Sequence, residues 1–385
     1  MNTNSFDVIV LGVGTMGAST CYHLTKRGYK VLGIEQFSIP HDLGSHGGQS
    51  RIIRKAYFEH PDYVPLLNKA YANWKQLEDE TGHSLYTQTG LLYIGPSDHS
   101  VIAGVKKSAL QYNIELEDVS REIEDRFPAF KLDNDFTALF EPDAGFLLPG
   151  KSIATYTEEA MKLGATIHSF EKTIEWQKVN GRIELITEKG KYIADKLIIT
   201  AGAWTSKIIP TLPVQLKVTR QTLIWVKPAI PGSFLPGQFP CWMLCANNEP
   251  GVYYGFPYLD AERFGEPGGM KFALHYPGIK TDPDDVIRNV SIEEIEAVTD
   301  KLSQFLPAAA SEIADAKTCL YTNSADEDFI IDFLPGYDGA VTFACGFSGH
   351  GFKFASVIGE ILADLTMDGN TKLPIDFLKL NRFEN

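Results

Sequence analysis

The residues best spaced for chemistry lie near the start of the chain: Gly12, Gly14, Thr15, Met16 and Gly17, followed further on by Glu35 with Gln36 beside it. A glycine turn opening a helix leaves backbone N–H groups free to donate to phosphate oxygens. In that pattern Gly12 permits the tight turn, Gly14 lets the backbone approach a pyrophosphate, and Gly17 lets helix and strand pack closely. A carboxylate at position 35 can accept hydrogen bonds from ribose hydroxyls, which predicts an unphosphorylated adenosine ribose.

These residues need particular elements to hold them. Phe6 to Leu11 is a short apolar run rich in β-branched residues, which predicts a buried parallel strand. A helix follows, ending near Arg27 and Gly28, and a second apolar run, Lys30 to Ile34, delivers Glu35 at its end. Glycine-rich turns also occur merely to reverse a chain, so the nucleotide reading rests on strand, helix, second strand and acid falling at the right spacing together. The motif does not separate NAD from FAD.

Further segments bear on that choice. Residues 38–54 carry Gly44, Ser45, His46, Gly47, Gly48 and Ser50 before Arg51 and Arg54, a composition that predicts an extended loop close to a ligand. Arg51 and Arg54, three apart, read either as a solvated helix face or as anion recognition, and the acidic chain favours the second. The run Lys196 to Thr200 predicts a strand ending at Ala201, Gly202 and Trp204, against which a cofactor could pack. Near the C-terminus Ala340 to Ala344 predicts another strand. It breaks into Gly346-Phe-Ser-Gly349-His350-Gly351-Phe-Lys353 before a helix from Phe354 to about Met367. This second strand–glycine–helix unit suits a ligand that becomes anionic, as a flavin does across N1 and the C2 carbonyl on reduction. An NAD-linked dehydrogenase would explain residues 6–35 and leave 346–351 without a role, so the residues favour FAD.

Composition bounds the rest. The chain has 385 residues, 44% of them hydrophobic, enough for a large core, and its formal charge of −14 argues against nucleic acid or an anionic membrane as partner. No apolar run approaches bilayer length and Met1-Asn2-Thr3-Asn4 lacks a positive n-region, which predicts a cytoplasmic protein. The cysteines, Cys21, Cys241, Cys245, Cys319 and Cys345, are odd in number and predict buried free thiols; no histidine-rich segment completes a metal site around Cys241 and Cys245. Helices are predicted over 61–83, 98–112 and 152–163, and a hairpin over 174–187 turning at Asn180-Gly181. Residues 214–226 and 251–276 read as strands, with Tyr253 and Tyr254 on the second and Lys271 and His275 sharing one strand face. Changes of pattern near 85 and 147 predict two domains. A discontinuous nucleotide domain takes 1–84, 147–215 and 320–385, and a substrate domain takes 85–146 and 216–319.

Taken together, the segments GVGTMG with Glu35, GSHGGQSRIIR, AGAW, VYYGFP, TCLYTNSADEDFIIDFLPG and GFSGHGFKFAS resemble the monomeric sarcosine oxidase and N-methyltryptophan oxidase family of FAD-dependent amine oxidoreductases, of the D-amino acid oxidase type. The resemblance implies an α/β architecture: a doubly wound, Rossmann-like FAD-binding domain with a second α+β domain built on a large, mainly antiparallel sheet. It implies a monomeric FAD oxidase acting on a small amino acid and O2, oxidising the C–N bond of a secondary N-methyl amino acid to an imine. Peroxide is released, with formaldehyde after hydrolysis. Carried over, Arg54 and Lys353 grip the substrate carboxylate, Tyr254, His275 and Met243 line the substrate cavity, Lys271 and Arg51 act beside the flavin, and Cys319 joins the flavin covalently. Ser45, His46, Arg51, Ala201, Gly202, Trp204, Gly346, Gly349, His350, Gly351 and Lys353 complete the cofactor set, with no metal. At residues 45–48 the family pattern is Ser-His-His-Gly, and here Gly47 replaces the second histidine. Oxidation of a cyclic or primary amino acid such as pipecolate, glycine or a D-amino acid is the alternative substrate class, and a flavin-binding protein without catalysis is the alternative function.

Overall fold

A computed structural model describes residues 5–132, 135–246, 251–309 and 312–384; residues 1–4, on which the reading of the N-terminal leader rests, lie outside them. The strand Ser5–Leu11 is central to an eight-stranded sheet. It runs parallel to Val31–Ile34 on one side and Lys191–Ile199 on the other. Outside these, Thr166–His168 and Val341–Cys345 extend the parallel core, while Ile330–Phe333 and the hairpin Thr173–Val179/Arg182–Thr187 add antiparallel edges. That hairpin turns at Asn180 and Gly181, both at positive φ, as a tight two-residue turn requires.

The central strand is apolar on both faces because both are covered. Val8 and Val10 pack with the helices Thr15–Lys26, Tyr63–Thr81, Pro149–Lys162 and Ala355–Asp368, whereas Ile9 and Leu11 pack with Ile183, Leu185, Ile209 and Leu334. The long helices therefore gather on one face of the sheet. The predicted helices at 61–83, 98–112 and 152–163 form as Tyr63–Thr81, Ser100–Tyr112 and Pro149–Lys162.

A second, nine-stranded sheet is almost wholly antiparallel. It is built from strands between Leu91 and Glu141 and between Lys217 and Asn323, with one parallel pair, Leu91–Pro96 beside Cys241–Leu244. The strand Glu312–Asn323 pairs along its length with Lys217–Lys227, so the boundary drawn at 319/320 falls inside a continuous strand. A three-stranded sheet, in which Arg51–Ile53 and Tyr86–Gln88 both pair with Gly145–Leu147, lies between the two larger ones in the sequence. Arg51 therefore sits on a strand. The helical alternative for Arg51 and Arg54 fails because Ile52 and Ile53, both β-branched, are drawn into this ladder. No helix of the described residues is long and apolar enough to cross a membrane.

Candidate functional site

The carboxyl ends of the parallel strands converge on a cavity of about 320 Å³, the position expected for a ligand of an open α/β sheet. Leu11 and Gly12 leave the first strand there, Ile34 and Glu35 the second, Thr200 and Ala201 the third and Gly346 the fourth. Gly12 has φ +92, and a Cβ on it would meet the Thr200 carbonyl oxygen at 2.6 Å; a Cβ on Gly17 would meet the Gly12 oxygen at 1.9 Å. The turn is therefore closed against its neighbours. Gly14 differs, because a Cβ there would meet only the His46 ring, at 3.5 Å, and the rest of a side chain would enter the cavity. The helix Thr15–Lys26 has no side-chain cap and no acid in its first turn, leaving its N–H groups and positive dipole end directed at this space.

Glu35 is buried, and its two carboxylate oxygens accept the N–H groups of Val13 and Phe37 at 3.0 Å. Burial pushes the Glu35 carboxyl up, and those hydrogen bonds oppose it. His46, on the cavity wall, is lowered to about 3 by burial and by the charges of His41 and Arg51, so its imidazole is neutral at physiological pH. Arg51 borders the cavity and donates to the Ser45 and Gly47 carbonyls, which shapes the 44–50 loop from its far end.

A smaller cavity of about 60 Å³ shares Arg51, Tyr321, Gly349 and Phe352 with the larger one. Its wall brings together Arg54, Lys353, Tyr254, His275, Met243 and Cys319 from six separate stretches of chain. Arg54 is 2% exposed, stacked within 4.4 Å of the Tyr57 and Phe58 rings, and held by both oxygens of Glu59 at 2.7 Å. Burial raises the Glu59 carboxyl, but Arg54, His350 and Lys353 more than offset this and bring it down to about 2. Lys353 donates to the His350 carbonyl at 2.7 Å; burial, with Arg54 close by, brings its ammonium down to about 7 against the pull of Glu59. His275 shares a hydrogen bond with the Tyr321 hydroxyl at 3.1 Å and is lowered to about 3, chiefly by burial.

Lys271 lies beside both cavities without lining either. It is 1% exposed, donates to the Ser50 carbonyl, faces the Phe256 ring at 4.2 Å, and among the described residues has no carboxylate partner. Burial lowers its ammonium well below the usual range, and Arg51 adds to this. Lys271 and His275 are thus both buried, but only His275 reaches the small cavity. The Cys319 thiol is pushed up by burial and pulled down by Arg51, Lys271 and Arg288. All five cysteines are buried and unpaired.

The chain matches the family described as FAD dependent oxidoreductase over residues 7–365. It belongs to that family. It is 37% identical over 373 residues to monomeric sarcosine oxidase of Streptomyces avermitilis, covering 96% of each chain. To N-methyl-L-tryptophan oxidase of Citrobacter koseri it is 34% identical, covering 98% of this chain and 99% of the other. The solved structure of NikD, an unusual amino acid oxidase essential for nikkomycin biosynthesis, superposes with a TM-score of 0.86 at 22% identity and 98% coverage of both chains. The α/β architecture with a second, mainly antiparallel sheet is that of this family's flavoenzymes, and the larger cavity fits FAD: Gly14 leaves room, the uncapped helix end offers donors, and Glu35 stands at the end of the second strand.

The predicted residues distribute between the cavities. Gly12, Gly14, Thr15, Met16, Glu35, Gln36, Ser45, His46, Ala201, Gly202, Trp204, Gly346, Gly349 and Gly351 line the larger one, while Cys319, His350 and Lys353 line the smaller and Gly17 is packed behind the turn. The C-terminal glycine unit meets the cavity through its loop and the 3-10 turn Phe352–Phe354, one turn ahead of the helix Ala355–Asp368. Sequence reading missed Glu59, although an acid five residues from a buried arginine is within reach of it. Tyr321 was also missed, and its signal was the two-residue spacing from Cys319 on one strand. The outer rim was not foreseen either. There Trp204 donates to Asp284 at 2.6 Å, Lys207 bonds Asp282 and Asp284, and Arg288 donates to the Leu43 carbonyl at 2.7 Å, drawing the 282–288 segment across the cavity edge.

Proposed function

We propose that the protein is an FAD-dependent oxidase of secondary N-methyl amino acids of the sarcosine type, taking electrons from the C–N bond to O2 and releasing hydrogen peroxide. The observation that carries this reading is the meeting of Arg54, Lys353, Tyr254, His275 and Met243 in one small cavity that opens beside the larger. The names of the relatives support it: monomeric sarcosine oxidase and N-methyl-L-tryptophan oxidase both cover nearly the whole chain. FAD, when bound, supplies the two-electron acceptor and the route to O2.

The chain's own residues then divide the work. Arg54 and Lys353 hold the substrate carboxylate by charge-assisted hydrogen bonds, with Arg54 also tied to Glu59. Tyr254 and neutral His275 bound the space for the amine, and Met243 adds an apolar part of the wall. Neutral His275 adds no positive charge against an ammonium substrate. Lys271, a buried amine with no carboxylate partner among the described residues, would in its protonated form stabilise negative charge developing on oxygen. Ser45, His46, Arg51 and the glycine turns hold the cofactor, and the two large sheets are assigned to a cofactor domain and a substrate domain. The protein is read as a cytoplasmic monomer.

The reading includes a covalent bond from Cys319 to FAD. Its support is the place of Cys319 on the small cavity wall, where Arg51, Lys271 and Arg288 oppose the rise that burial gives its thiol. Acid-precipitated holoenzyme should stay yellow and Cys319→Ala should give a colourless pellet; a colourless pellet from the unaltered holoenzyme refutes the linkage. Anaerobic addition of sarcosine should bleach the flavin, with peroxide released on admitting air. An unchanged spectrum with sarcosine and bleaching with pipecolate or glycine would move the substrate to the cyclic or primary class.

A further inference from the structure

Behind the small cavity stands a buried carboxylate with no part in the site just described. Glu141, at the end of the strand Phe136–Glu141 in the second sheet, is 0% exposed. One of its oxygens accepts the Lys55 N–H at 2.6 Å, and the other accepts the Ala56 N–H at 3.2 Å and faces the Tyr93 hydroxyl at 2.6 Å. Tyr93 also lies 3.0 Å from the Ala56 carbonyl, and that same carbonyl receives Nη1 of Arg54 at 2.9 Å. A carboxylate this deep is costly unless fully hydrogen-bonded, so these contacts act together. They tie the peptide that directs Arg54 to a strand of the other sheet.

We propose that Glu141 is a positioning residue for substrate recognition, fixing the Lys55–Ala56 peptide so that Arg54 meets the substrate carboxylate in a set orientation. Tyr93 is its auxiliary. The inference rests on the assignment of Arg54 to that carboxylate. The distinction from Glu59 is geometric: Glu59 pairs with the guanidinium itself, whereas Glu141 touches only backbone and Tyr93. A loosened peptide lets the guanidinium swing, which weakens carboxylate binding and leaves electron transfer from a fully bound substrate intact.

The test uses holoenzyme titrated with methoxyacetate, a carboxylate that is not an amine, followed by the change in flavin absorbance. The limiting rate of anaerobic flavin reduction by saturating sarcosine is measured beside it. Glu141→Gln keeps the shape but presents an amide NH2 to one of two N–H groups, so the Kd should rise about tenfold with the limiting reduction rate unchanged. Tyr93→Phe should raise the Kd by less, also without changing that rate. An unchanged Kd in Glu141→Gln, beside a large rise in Arg54→Lys, overturns the role of Glu141 alone. An unchanged Kd in both overturns the assignment of Arg54 and with it this inference. Parallel loss of flavin content, reduction rate and affinity marks general loosening and also overturns it. Should Glu141→Gln fail to fold, Tyr93→Phe decides: a raised Kd at full reduction rate supports the proposal, and an unaltered Kd refutes it.

Discussion

The two cavities are made of different material. The larger one gathers strand ends, glycine turns and an uncapped helix, while the smaller gathers side chains that six distant segments bring together. Backbone sites depend on local geometry, and local geometry leaves a spacing in the sequence. Side-chain sites depend on where the whole fold sends each residue. Cofactor retention and substrate recognition should therefore fail separately.

The strongest test of that separation is Gly14→Leu. A Cβ on Gly14 would meet only the His46 ring, so the bulk of a leucine side chain enters the cavity. Purified protein should be folded by circular dichroism and lack flavin absorbance; a yellow variant would place the cofactor elsewhere. Next comes Arg54→Ala, which removes one member of a buried charge-assisted set. It should weaken substrate binding by about 2–5 kcal/mol, roughly thirtyfold to several thousandfold, with flavin content unchanged. Loss of flavin in this variant would mean that the two regions are one unit.

Lys271→Met sharpens the comparison, because Lys271 lies against both regions and lines neither. Reoxidation by O2 should slow by about 10²–10³, with anaerobic reduction by substrate far less affected. Equal slowing of both half-reactions would assign Lys271 to substrate positioning. The smallest effect is in pH. Burial and Arg54 bring the Lys353 ammonium down to about 7, so its positive charge is present below that pH and lost above it. Affinity for a carboxylate should fall as pH rises through about 7, by at most roughly tenfold per unit, and Lys353→Met should flatten the profile. His275, lowered to about 3, stays neutral across this range and adds no inflection.

The sequence carried the first cavity well. Gly12, Gly14, Gly17 and Glu35 could be read from spacing because each answers a backbone demand visible within thirty-odd residues. The helix at Tyr63–Thr81, ended by Gly82 at φ 71, and the Asn180-Gly181 turn were legible for the same reason. Arg54 was legible from its loop as an anion-binding residue, but its meeting with Lys353, Tyr254 and Met243 was reachable only through family resemblance, since nothing in their neighbours announces a shared destination. Glu59, Glu141 and Tyr321 went unread because their importance lies in partners: a guanidinium, a peptide and an imidazole whose positions only the fold discloses. That Arg51 sits on a strand was not legible, because its ladder partner, Leu147, lies almost a hundred residues away.

The edge formed by Trp204, Lys207 and Asp282–Asp284 has a bearing on how the molecule is loaded. Lys207 and its two aspartates are each about half exposed, and ion pairs of that kind are individually weak and screened by electrolyte. This stretch of rim is thus fastened by bonds that dissolved ions can loosen, whereas the strand ends behind it are held by buried strand and packed core. Raised ionic strength should therefore loosen this margin while the apolar interior keeps its shape.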